Sequence, residues 1–156
     1  MHKNKVFKYH DPKSGPENPM LFRYKRGIFL WQSGFDGAMD YAYQHSMGFI
    51  WNDFDDKRYR DLAFTYPTSN GVIDTLAWEG YREGIDDLNY LATLENLIRQ
   101  AEKSQYVPDA VIKEPKNYIL KLKYAGEIDL DKYRKVTTKH IQLLLKWLKS
   151  PSDQVA

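Results

Sequence analysis

The chain has 156 residues, 42% of them hydrophobic and 15% aromatic, which is enough apolar surface for one domain with a buried core and excludes a disordered chain. Its 23 basic and 21 acidic residues leave a net charge of +2. The basic residues are spread along the chain, which argues against nucleic acid, whose phosphates reward a concentrated basic face. With no cysteine there is neither a disulfide framework nor a thiolate metal site, and the redox compartment stays undecided.

Met1 to Lys5 is charged, but Val6 to Tyr9 is not an apolar core of the kind a signal peptide needs. No signal peptide is visible and no apolar run approaches the length that spans a bilayer, so the chain reads as soluble and not membrane-bound. The compartment is undetermined, and a periplasmic or secreted location fits only a piece of a longer precursor.

Lys5 to Tyr9 has the β-branched and aromatic content of a short strand, and His10 to Pro16 is a cluster of turn formers. Asn18-Pro19 starts a helix whose apolar residues Leu21, Tyr24, Ile28 and Trp31 recur at helical spacing up to Ser33-Gly34. Gly37 to Tyr43 reads as a second strand, followed by a long polar and aromatic loop from Gln44 to Arg60, a length uncommon without a role. Leu62 to Tyr66 is a third strand, closed by Pro67 and the turn Thr68-Ser69-Asn70-Gly71.

A helix from Asp74 or Thr75 carries Leu76, Trp78 and Tyr81 to a break at Gly84, and a second runs from Asp86-Asp87 through Leu88, Leu91, Leu94, Leu97 and Ile98. After Ser104 two amphipathic helices follow, Pro108 to about Tyr124 and Leu130 to about Lys149, the last capped by Asp129. Its apolar stripe is Tyr133, Val136, His140, Ile141, Leu144, Leu145 and Leu148. Residues 1–104 thus form one part and 105–156 a helical extension packed on it. Strands separated by crossover-length segments predict an α/β fold with a parallel sheet, and three such strands leave two edges that something must cover.

The segment Tyr66-Pro67-Thr68 and the block Trp78-Glu79-Gly80-Tyr81-Arg82-Glu83-Gly84-Ile85-Asp86-Asp87, continued by Leu88-Asn89-Tyr90-Leu91, resemble the end of the catalytic barrel in glycoside hydrolases of the β-N-acetylgalactosaminidase type (family 123) and related bacterial barrel proteins. Arg26-Gly27, Leu30-Trp31, Gly34 to Gly37 and Tyr41-Ala42-Tyr43 are similar as well, so the likeness runs from Val6 to Leu97. Ala77, where relatives carry arginine, and Asp40, where an aromatic is usual, depart from the pattern.

The resemblance implies the C-terminal portion of a TIM-type (β/α)8 barrel, with Lys5 to Tyr9, Gly37 to Tyr43 and Leu62 to Tyr66 as its last three strands. Barrel sites lie in the loops after the strands, here His10 to Asn18, Gln44 to Arg60 and Pro67 to Asp74. In that family a glutamate acid/base works beside an aspartate that orients the sugar's acetamido group. The adjacent pair belongs to a middle strand, ahead of this chain, so no catalytic residue is named here, and hydrolysis of O-glycosyl bonds would need the upstream strands.

The substrate-binding candidates are Tyr43, Gln44 and His45 at a strand end, Trp51, Asn52 and Asp53 in the long loop, and Tyr66, with Tyr9 and His10 beside them. An aromatic plane for sugar C–H bonds next to carboxylates for hydroxyls suits a carbohydrate. Alternatively, Asn52 to Asp56 is a solvated loop whose acids cap a short helix at Lys57 to Asp61. A calcium loop is disfavoured, since the glycine and final glutamate of an EF-hand are missing, and no metal or other cofactor is expected. Glu79 and Arg82, three apart on a helix, predict a local ion pair, and Trp31, Trp78, Tyr81 and Trp147 predict core packing.

The expected function is the C-terminal part of a glycoside hydrolase-like protein that contributes sugar-pocket loops. The alternatives are a noncatalytic carbohydrate-binding or scaffold domain and an inactive truncated product. Expected partners are a carbohydrate such as an acetamido sugar glycoside, and either the missing N-terminal barrel half or a second copy to cover the sheet edges.

Overall fold

Strand β1 (Phe7–Tyr9) and helix α1 (Pro19–Arg26) come first in the computed structural model, which describes residues 4–9, 14–15 and 18–149. Asn18 caps α1 from a left-handed conformation, φ 63°, its side-chain oxygen accepting from the Leu21 N–H, and Pro19 sits in the first turn, where its missing N–H leaves no bond unmade. The helical pattern resumes after Gly27 as α2 (Ile28–Ser33), which Gly34 closes at φ 74°. Strand β2 (Gly37–Met39) then pairs in parallel with β1, Phe7 opposite Gly37, so β1, α1, α2 and β2 make one parallel crossover unit.

The parallel pairing ends there. Strand β3 (Gln44–His45) runs antiparallel to β4 (Leu62–Ala63), and β5 (Thr65–Thr68) turns back at Ser69-Asn70 into β6 (Gly71–Asp74). The described strands therefore form three separate two-stranded sheets. This corrects the expected fold: among the described residues there is no closed barrel and no barrel remnant, and the chain is a mostly helical domain with small open sheets.

The physical reasons lie at two places. The predicted strand Gly37 to Tyr43 is paired only as far as Met39, opposite Tyr9, and the next residue, Asp40, is held by Arg26 in an ion pair made through both Nε and Nη2. The predicted parallel strand Leu62 to Tyr66 finds antiparallel partners on both halves instead, Gln44-His45 on one and Gly71 to Asp74 on the other.

The chain divides into two units, Met1–Asp86 and Asp87–Ala156. In unit 1 the core is Phe22, Phe64 and Ala77 with Trp78 and Tyr81 packed on it. Phe64 meets Phe22 edge-on at 5.4 Å between centroids and Tyr81 at 5.7 Å, geometries that add to simple burial. Thr75 starts helix α3 (Leu76–Lys103), its hydroxyl accepting from the Trp78 N–H and donating to the Phe64 carbonyl.

No break occurs at Gly84. Its missing side chain serves packing, since a Cβ there would lie 2.7 Å from the Arg23 carbonyl and 3.0 Å from the Gly27 nitrogen. A Cβ on Gly80 would fall on the Pro19 carbonyl.

In unit 2, Leu94, Leu97, Ile98 and Ala101 recur at helical spacing along α3 and pack with Val107, with Ile112 of α4 (Asp109–Lys123) and with Ile141 and Leu144 of α5 (Leu130–Leu148). Asp129 caps α5 by accepting from the N–H groups of Asp131 and Lys132. Helix α4 continues through Pro115, whose ring is fully buried. The predicted α5 stripe is shifted: Thr137 is buried, its hydroxyl donating to the Tyr133 carbonyl, whereas Leu145 is exposed, and so is Trp147, for which core packing was expected. Asp87, also buried, accepts from Arg134 at 2.7 Å through its carboxylate and from the Tyr133 hydroxyl at 2.6 Å through its carbonyl. Burial pushes the Tyr133 phenol well above its ordinary pKa.

The Arg26–Asp40 pair is buried, with side-chain exposures of 0% and 4%. Asp40→Ala removes the carboxylate from beside a buried guanidinium and is expected to cost about 3–5 kcal/mol, measured by chemical denaturation, while replacing both residues by apolar ones recovers most of the loss.

Candidate functional site

The residues singled out around the long loop all lie in unit 1, on β3, β5 and the segment between β3 and β4. Trp51 and Tyr66 form the clearest arrangement, their rings stacked at 5.0 Å and 25°. Trp51 is exposed and Tyr66 half-buried, so the pair is a ledge open to solvent on one side. Tyr43 is exposed and meets Trp78 edge-on at 6.1 Å. Gln44 donates through Nε2 to the Thr65 hydroxyl at 2.9 Å, and His45 pairs through Nδ1 with the Tyr41 hydroxyl at 3.1 Å. Tyr9 is exposed on β1, and His10 lies outside the described residues.

The acidic loop residues make hydrogen bonds within the loop. Asp53 accepts from the Asp61 N–H at 2.7 Å and from Arg60, Asp55 from the Phe49 N–H at 2.6 Å, and the Asn52 side chain from the Phe54 N–H at 3.3 Å. Asp56 accepts from the N–H groups of Arg58 and Tyr59, and these bonds lower its pKa. No helix follows at Lys57 to Asp61; the loop closes by side-chain to backbone bonds that take the place of helical ones.

Asp61 was not among the candidates, although it is the most buried acid of the loop. One of its oxygens accepts from the Met47 N–H at 2.8 Å, while the other is buried with no hydrogen-bond partner. No sequence signal marks it apart from its place next to the apolar Leu62-Ala63-Phe64 strand.

The predicted Glu79–Arg82 pair is present at 2.9 Å, and Arg82 also reaches Asp74 at 3.6 Å. Among the described residues, no group of three or more His, Cys, Asp or Glu is disposed to hold a metal ion, and no helix is long and apolar enough to cross a membrane.

No family model, curated protein or solved structure matches the chain. The family resemblance is therefore withdrawn together with the barrel. The glycosidase reading falls with it, because no barrel or extended parallel sheet among the described residues frames a sugar-binding catalytic cleft.

The unit 1 loop should depend on its internal aspartates. Asp61→Ala is expected to raise the hydrogen-exchange rate of the Met47 amide and to cost about 1–3 kcal/mol, the range for leaving a bonded polar group without its partner. Unchanged exchange at Met47 would show that the carboxylate does not hold the loop.

Proposed function

We propose that this chain is an assembly module in which unit 1 pairs with a second copy of itself through strand β6. One observation carries the reading: β6 is exposed along its whole length and no further strand lies beside it among the described residues.

The hydrogen-bond phase of the hairpin says which backbone groups face outward. The Thr75 N–H donates to the Phe64 carbonyl, so Phe64 and Thr75 form a hydrogen-bonded pair. Bonded and non-bonded pairs alternate in an antiparallel ladder, which places Tyr66 opposite Ile73 in a bonded position and Pro67 opposite Val72 in a non-bonded one. Proline, with no N–H, belongs in that position. The N–H and C=O of Val72 therefore point away from β5, toward an unoccupied edge.

Exposed strand edges are usually protected by shortness, lysine, proline, a bulge or an inward-pointing charge. Gly71-Val72-Ile73-Asp74 is short, but it has no lysine, proline or bulge. Its one charge, Asp74, is drawn toward Arg82 of α3.

A second copy is the occupant that the strand's own pattern favours. Pairing across a two-fold axis with Val72 opposite the partner's Val72 lets each accept and donate one bond, sets Ile73 over the partner's Gly71, and keeps the two Asp74 carboxylates at opposite ends. The result is a four-stranded antiparallel sheet, which tolerates solvent on one face better than a parallel sheet does.

Sedimentation equilibrium of the chain is expected to show a concentration-dependent monomer–dimer equilibrium, and Val72→Pro to shift it to monomer with unchanged circular dichroism. That substitution removes an N–H which the hairpin itself does not use. A wild-type chain that stays monomeric at high concentration, or a Val72→Pro chain that dimerises equally well, overturns the proposal.

A further inference from the structure

Unit 2 holds a cleft between α4 and α5 with a volume of about 390 Å³, within the usual range for small-molecule sites. Its lining includes Lys113, Asn117, Tyr118 and Lys121 of α4 and Val136 and His140 of α5. Positions 113, 117 and 121 recur every four residues, so one face of α4 presents an ammonium, an amide and a second ammonium in line along the cleft.

His140 is what distinguishes this cleft from a groove between two helices. It is only 7% exposed and lies against the Tyr118 ring with centroids 5.0 Å apart, yet its ring makes no hydrogen bond among the described residues. Its ring nitrogens are not sealed from solvent, and His140 lines the cleft, so a molecule bound there can supply the partner that the protein does not. Tyr118 cannot supply the missing bond, because its hydroxyl is committed to Thr137 at 2.9 Å and to the Tyr133 carbonyl at 3.2 Å. Burial holds the His140 pKa below the ordinary histidine value, against the opposing charge of Glu114, so at neutral pH the ring is uncharged and offers one N–H donor.

We infer that this cleft binds a small organic carboxylate with an apolar body, its anionic end between Lys113 and Lys121 and within reach of the His140 ring. Charge balance selects the ligand class. Two lysines against the single carboxylate of Glu114, which also lines the cleft, leave one net positive charge, suited to a monoanion and less to a phosphate. The Tyr118 ring and Val136 give an apolar wall that a bare inorganic anion would not use.

The test is a nuclear magnetic resonance titration of the full chain with benzoate, with benzamide as its neutral counterpart and with inorganic phosphate. Benzoate is expected to give saturable shifts at the His140 ring and at the Asn117 amide, with benzamide and phosphate several-fold weaker. Lys113→Ala with Lys121→Ala, both exposed positions, should weaken benzoate several-fold while leaving the helical circular dichroism unchanged. His140→Gln should weaken it as well. No saturable shift with benzoate, equal affinity for benzamide, tighter binding of phosphate, or full affinity in the folded double-lysine variant would each overturn the inference.

Discussion

Unit 1 depends on a contact between two backbones. Pro19 and Arg23 of α1, with Gly27 at its end, meet Gly80 and Gly84 of α3 so closely that a side chain at either α3 glycine would occupy the space of a carbonyl oxygen. This approach sets Phe22 against Phe64 and accompanies the complete burial of the Arg26 side chain. A buried guanidinium requires a carboxylate, because desolvation would otherwise cost several kcal/mol. Asp40, the residue after β2, meets that requirement. The pair thus ties the end of α1 to the chain leaving β2.

The loop between β3 and β4 shows how residue type underdetermines role. Its aspartates combine with Trp51 into a composition that would suit a ligand, but Asp53, Asp55, Asp56 and Asp61 all accept from backbone N–H groups of the same loop. Carboxylates are the strongest acceptors available to a loop without regular structure, and a segment of this length has many backbone donors to satisfy. The backbone edge of β6, by contrast, is satisfied by no neighbouring strand among the described residues, and its four side chains carry no chemistry that a motif search would notice.

Unit 2 is organised differently. Its core repeats leucine and isoleucine at helical spacing on α3 and α5, while a buried polar set, Asp87 with Tyr133 and Arg134 and Tyr118 with Thr137, ties the three helices in register. Each of these polar groups has a named partner, as burial requires. His140 stands apart from them because its ring has none.

The sequence by itself determined the local events. Asn18-Pro19 as a helix start, Asp129 as a cap, Gly34 as a helix end, a turn at Thr68 to Gly71, the Glu79–Arg82 pair and the two C-terminal helices were all legible, because each rests on interactions between residues a few positions apart, whereas strand β6 after that turn was not. Tertiary structure decided the rest. Whether Leu62-Ala63 would pair in parallel or antiparallel, whether Gly84 would break a helix or admit another, and whether Asp40 would lie in a strand or bind Arg26 all turn on partners 14 to 61 residues away in the chain. Periodicity and propensity describe a residue's neighbours in sequence, whereas sheet direction and burial are settled by which distant segment satisfies the same backbone and charge at lower free energy.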